Sequence, residues 1–236
     1  MKNKISLFEQ RFKHRYMLKK KVNLMICALI VILGCLSILF ILDYDRDGVL
    51  TFRWMTVDGT VFTTLISLFY LAVGLWEIRN YTELTRETVY YMRLSSAVAE
   101  SMIIFVVLVS RLPFSPEHMH IFRFDMFNMH ILIPLLTVAS FIMNDSPIGK
   151  TSMRQRFHGT WFVTFYVIIM ISLITSGVIK ADKIPYFFLD IDNMNALEFT
   201  GYFIMTYIIA YSLSYILYRL NLKCSWLWFK KRRAKT

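Results

Sequence analysis

Apolar positions in this chain gather into long runs, instead of recurring at every second position or at every third and fourth. The runs cover Val22 to Leu42, Val57 to Trp76, Val89 to Val109, Asn128 to Met143, Trp161 to Val178 and Phe199 to Tyr218. Each approaches the roughly 20 residues an α-helix needs to cross about 30 Å of hydrocarbon, and a helix satisfies its own backbone polar groups where no water can. The pattern predicts an all-α, polytopic membrane protein built as a six-helix bundle. The fourth run is short and contains Pro134, which has no N–H for the carbonyl four residues back, so it is expected to extend a turn outward or to kink. No Pro/Gly/Ser-rich linker or internal repeat divides the chain. Three segments result: a basic head over residues 1–21, a six-helix domain over 22–220 and a basic tail over 221–236.

Composition supports this reading. Of 236 residues, 56% are hydrophobic and 16% aromatic, more apolar material than one soluble core requires. The first run follows 21 residues of basic head and is long enough to stay in the bilayer, which argues against a cleaved secretory leader. The net charge of +11 is concentrated at the two ends, beside spans and interleaved with Trp226 and Trp228. That distribution fits anionic lipid headgroups and interfacial aromatics better than nucleic acid, so membrane lipids are the expected partners and no nucleic acid is. Nineteen Lys and Arg lie in the head, the tail and the loops after spans two and four, against six in the other three loops. The positive-inside bias then puts both termini in the cytoplasm. Cys27, Cys35 and Cys224 show no disulfide or metal spacing.

With that orientation, polar residues converge on the outer side. Arg53, Thr56 and Asp58 stand where the second span starts; Asp125, Asn128 and His130 stand where the fourth starts; Tyr186 and Asp190 precede the sixth. Glu100 falls midway along the third. A carboxylate in hydrocarbon costs several kcal/mol unless paired, protonated or wet, so a polar cavity in the outer half of the bundle, floored near Glu100, is expected. Arg93, one turn into the third span, is expected to snorkel inward. A threonine at the site of Thr56 caps its helix or, beside a base, acts as a nucleophile; imidazole titrates near neutrality and suits His130 to that base. Asp125 or Asp58 would orient the ring, and Arg53 would stabilise an oxyanion or hold a carboxylate.

Two metal readings compete with solvated loops. Asp43, Asp45 and Asp47 in DYDRDG match the first half of a calcium loop, but Trp54 occupies the twelfth position where a bidentate glutamate belongs. Weak Ca²⁺ binding is compatible with the pattern, and no cofactor is required. His118 and His120 are borderline ligands without a closed shell.

Three motifs carry a resemblance: F-R-aromatic-x-T (Phe52, Arg53, Trp54, Thr56), H-x-x-x-P (His130, Pro134) and P-Y-x-F-L-D (Pro185, Tyr186, Phe188, Leu189, Asp190), in order behind a first span. The chain resembles the Pr6Pr-type bacterial membrane proteins, similar in turn to the androgen-induced family of six-span proteins. That resemblance implies an intramembrane threonine hydrolase of lipid esters, notably fatty acid esters of hydroxy fatty acids, with Thr56 as nucleophile and His130 as general base, in a bacterial cell membrane. The chain departs from the family pattern at Asp58, Gly59 and Thr60, where a Ser/Asn-rich stretch is expected, and at Thr164, where a proline is. The alternative is a membrane protein that binds or transports a lipid or amphipathic ligand without breaking it.

Overall fold

The computed structural model describes residues 2–44, 48–80, 86–111, 122–145, 151–186, 189–191 and 193–233, with side chains described except at 2–17, 49, 86, 110, 111 and 226–233. Asp45, Asp47, His118, His120 and Phe188 therefore lie outside the described residues, as do the side chains of Trp226 and Trp228. No strand occurs among the described residues, and six helices are long and apolar enough to cross a membrane. The chain is a multi-pass membrane protein.

The helices are α1 (Lys2–Tyr44), α2 (Met55–Asn80), α3 (Arg86–Val106, continued by a π-helical turn over Val107–Arg111), α4 (Phe124–Asn144), α5 (Met153–Thr175) and α6 (Ala196–Arg233). A 3₁₀ turn over Gly48–Arg53 leads into α2. The apolar window of α3 is 61% buried, against 22% for α6, which makes α3 the central helix. It packs on α2, α4, α5 and α6, while α1 closes against α2 and α4. At Gly34 of α1 an added Cβ would overlap Thr64 Oγ1 of α2, so the missing side chain sets how closely these two helices approach.

Span four starts at Phe124, one turn before Asn128. It also contains a π-helical turn over Asn128–Leu132, in which Ile133 N–H donates to Asn128 O. The expected outward extension is present, and Pro134 gives the reason for the π-helical turn: it leaves the His130 carbonyl without its α-helical donor. Span five ends at Thr175, short of the expected Val178. Gly177 takes φ +74 there, and Gly177 N–H and Ile179 N–H close on Ile174 O and Leu173 O at 2.9 and 3.1 Å, a Schellman-type stop that needs a left-handed residue.

One end of the bundle is locked by a buried polar network. Arg93, fully buried, donates through Nε to Asp145 Oδ2 at 3.1 Å and through Nη2 to Ser140 Oγ at 2.6 Å. Asn23 Nδ2 donates to Asp145 Oδ1 at 2.8 Å and to Tyr70 OH at 3.0 Å, and Ser140 Oγ donates to Asn23 Oδ1. Asn221 Nδ2 donates to Phe141 O and Asp145 O at 2.9 and 2.8 Å, while its Oδ1 accepts from Tyr90 OH at 3.1 Å. Five helices, α1, α2, α3, α4 and α6, meet in these bonds. Arg93 does not snorkel; it is held inside by an acidic partner just past the end of α4.

Candidate functional site

The end of the bundle opposite this network carries the residues singled out in the sequence. Thr56 stands half-buried in the first turn of α2. His130 stands half-buried in the π-helical turn of α4, its Nδ1 2.9 Å from Met126 O. A carbonyl only accepts, so Nδ1 is the protonated nitrogen and Nε2 the basic one. The sequence neighbours of these two residues, Val57 and Met129, are buried in one apolar cluster with Ile41. Packing thus brings the first turn of α2 and the π-helical turn of α4 together, although they are far apart in sequence.

The surrounding polar residues are distributed unevenly. Asp125 is buried and its two oxygens each accept from Arg123, from Nε and from Nη2, both at 2.6 Å. This fork, lying 3.9 Å from the Tyr44 ring centroid to the guanidinium carbon, holds the Arg123 guanidinium above its usual pKa, chiefly through the hydrogen bonds to Asp125. The group that orients the His130 ring is thus the Met126 carbonyl, while Asp125 anchors the loop that precedes α4. Asn128 is nearly buried and its Nδ2 has no partner among the described residues.

Arg53 donates from Nη1 to Leu50 O at 3.3 Å and lies over the Trp54 ring at 5.3 Å. Its own carbonyl accepts from Tyr166 OH of α5 at 2.8 Å. Trp54 meets Tyr186 edge to face at 5.9 Å, and Asp58, half-buried, neighbours Tyr166. Asp190 accepts from Asn193 Nδ2 at 2.9 Å, whereas its Oδ1 is buried without a partner among the described residues. The segment before α6 therefore folds over the start of α2 through Tyr186. Asp43 is exposed at the end of α1, and among the described residues no three His, Cys, Asp or Glu gather where a metal ion could be held.

Glu100 is fully buried in the interior of α3. Ser96 Oγ donates to Thr63 Oγ1 at 3.0 Å, and Ile103 lies against Gly59, so α2 and α3 run antiparallel with Thr60 at the level of Glu100. Thr56 is one turn further on, about 6 Å along the axis at 1.5 Å per residue. A crevice of about 10 Å³, room for one water, is lined by Val167, Leu189, Phe199, Phe203 and Thr206 and does not include Thr56 or His130.

Reading the sequence did not identify the Arg93–Asp145 network or the polar facing of α2 onto α3. Its signal was there: Arg93, Ser96 and Glu100, and likewise Thr60, Thr63 and Ser67, recur at i, i+3 and i+7 within apolar runs, which places each trio on one helical face. No family model matches the chain, and neither a curated protein nor a solved structure is significantly similar to it.

Proposed function

We propose that the protein is an intramembrane hydrolase of a lipid ester. The observation that carries this reading is the joint burial of Val57 and Met129, which brings the helical turns of Thr56 and His130 side by side, with the His130 ring fixed through Nδ1. In the proposed reaction Nε2 takes the Thr56 hydroxyl proton as Oγ1 attacks the ester carbonyl. The imidazolium then protonates the departing alkoxide, leaving an acyl-threonine ester. Water, deprotonated by the same nitrogen, releases the acid and restores the hydroxyl. Acyl chains would reach the site laterally from lipid, and with cytoplasmic termini it would lie in the outer leaflet of a bacterial cell membrane.

The test is hydrolysis of a panel of fatty acid esters by detergent-purified protein. Thr56→Ala and His130→Ala should each lower turnover by about 10²-fold or more, whereas Thr56→Ser should retain part of it. Turnover unchanged in both alanine variants would remove these roles. Intact lipid co-purifying with a protein that hydrolyses no ester would favour ligand binding without chemistry.

A further inference from the structure

Glu100 has an environment that a reaction at Thr56 does not account for. Among the described residues neither of its oxygens has a hydrogen-bond partner, although the carboxyl is wholly buried. The Thr63 hydroxyl lies beside it. On α2, one turn from Thr63, Thr60 Oγ1 is also buried and without a partner. On α4, Thr137 Oγ1 is in the same condition. Because Arg93 bonds Ser140 on that helix at 2.6 Å, Thr137 lies one turn from Ser140 towards the level of Glu100.

Several other hydroxyls in the bundle are committed to their own helix. Thr64, Ser101, Thr164 and Thr206 each donate to the carbonyl four residues back, at 2.7 to 3.0 Å. Thr60 and Thr137 do not, so their oxygens are not committed to their own backbone. Nor is a counter-charge at hand on α3, since Arg93 is two turns away and engaged by Asp145. Thr63 Oγ1 accepts from Ser96 and keeps a second lone pair beside Glu100, so an intramembrane carboxylate with this oxygen and the uncommitted ones of Thr60 and Thr137 calls for a small positive ligand.

We propose that Glu100, with Thr60, Thr63 and Thr137, forms a binding site for one monovalent cation of the size of sodium. The donor set is all oxygen, as hard cations require, and a single carboxylate balances a single charge; a divalent ion would need more anionic ligands. A proton on Glu100 would serve one acceptor, whereas a cation takes lone pairs from the carboxylate and the hydroxyls together. The proposal is independent of the chemistry assigned to Thr56 and His130, and it stands or falls without any ester being hydrolysed.

Equilibrium binding of radioactive sodium and melting temperature, both on the purified full chain with choline replacing sodium at constant ionic strength, test it. Wild type should bind one sodium per chain, and its melting temperature should rise saturably with sodium. Glu100→Gln should abolish both responses while melting in choline no lower than wild type, because the amide has no charge to be matched. Thr60→Val should weaken sodium affinity by about tenfold or more, the effect of losing one ligand. Absence of saturable sodium binding by wild type overturns the proposal, as does a sodium response that persists in Glu100→Gln. Infrared difference spectra of wild type in sodium against choline decide even if the variants fail to fold: a sodium-dependent change in the carboxyl or carboxylate bands at neutral pH supports the cation, and spectra that do not differ at saturating sodium sink it.

Discussion

A guanidinium or carboxylate buried among helices is tolerated when an opposite charge offsets its own, and Arg93 and Asp145 do this for each other. Removing one partner leaves the other charge buried and alone, which costs about 3–5 kcal/mol, whereas replacing both by apolar residues avoids that penalty. Arg93→Met or Asp145→Leu alone should therefore lower the melting temperature sharply, and the double variant should recover most of the loss. A double variant no more stable than the worse single one would mean that the pair is not the unit of stabilisation. The sequence reading placed Arg93 in its span but missed this partner for a physical reason. Asp145 is 52 residues away and beyond the apolar run, and only packing of α3 against α4 makes them neighbours. Thr56 and His130 were legible in the sequence as polar residues at the starts of the second and fourth spans. That their helical turns meet depends on the shared burial of Val57 and Met129, which no local pattern encodes.

At the scale of elements, six apolar runs were enough to place six spans, because length in hydrocarbon is a strong constraint. Internal irregularities were less visible. The stop after Thr175 requires the left-handed Gly177, and the π-helical turn of α4 follows from one missing N–H at Pro134. That turn determines which side of α4 carries His130, since an extra residue in a helical turn rotates everything preceding it by about 100°. Pro134→Ala restores the donor and should let the segment relax to α-helix, turning Phe124–His130 away from α2. In a Val57→Cys/Met129→Cys background with Cys27, Cys35 and Cys224 replaced, mild oxidation should link α2 to α4 efficiently. Adding Pro134→Ala should suppress most of that crosslink without unfolding the bundle. Equal crosslinking in both would show that the neighbouring helices, not the proline, impose the rotation.

For the whole molecule, the direction of insertion decides which leaflet the candidate site faces. The structure fixes the relative ends: the Arg93–Asp145 network and the start of α1's span lie together, and Thr56, His130 and the end of α1 lie at the other end. The charge asymmetry of nineteen cations against six favours keeping the first of these ends in the cytoplasm. Asp43 and Arg79 are both exposed and mark the two sides, one at the end of α1 and the other in the last turn of α2. In a background without the native cysteines, Asp43→Cys should react with an impermeant maleimide on intact cells, and Arg79→Cys only after permeabilisation. The converse labelling would invert the bundle and move Thr56 and His130 to the cytoplasmic leaflet. Ester substrates would then have to come from the lipids of that leaflet, and the basic head and tail would face the outside, where their attraction to the anionic cytoplasmic surface could not act.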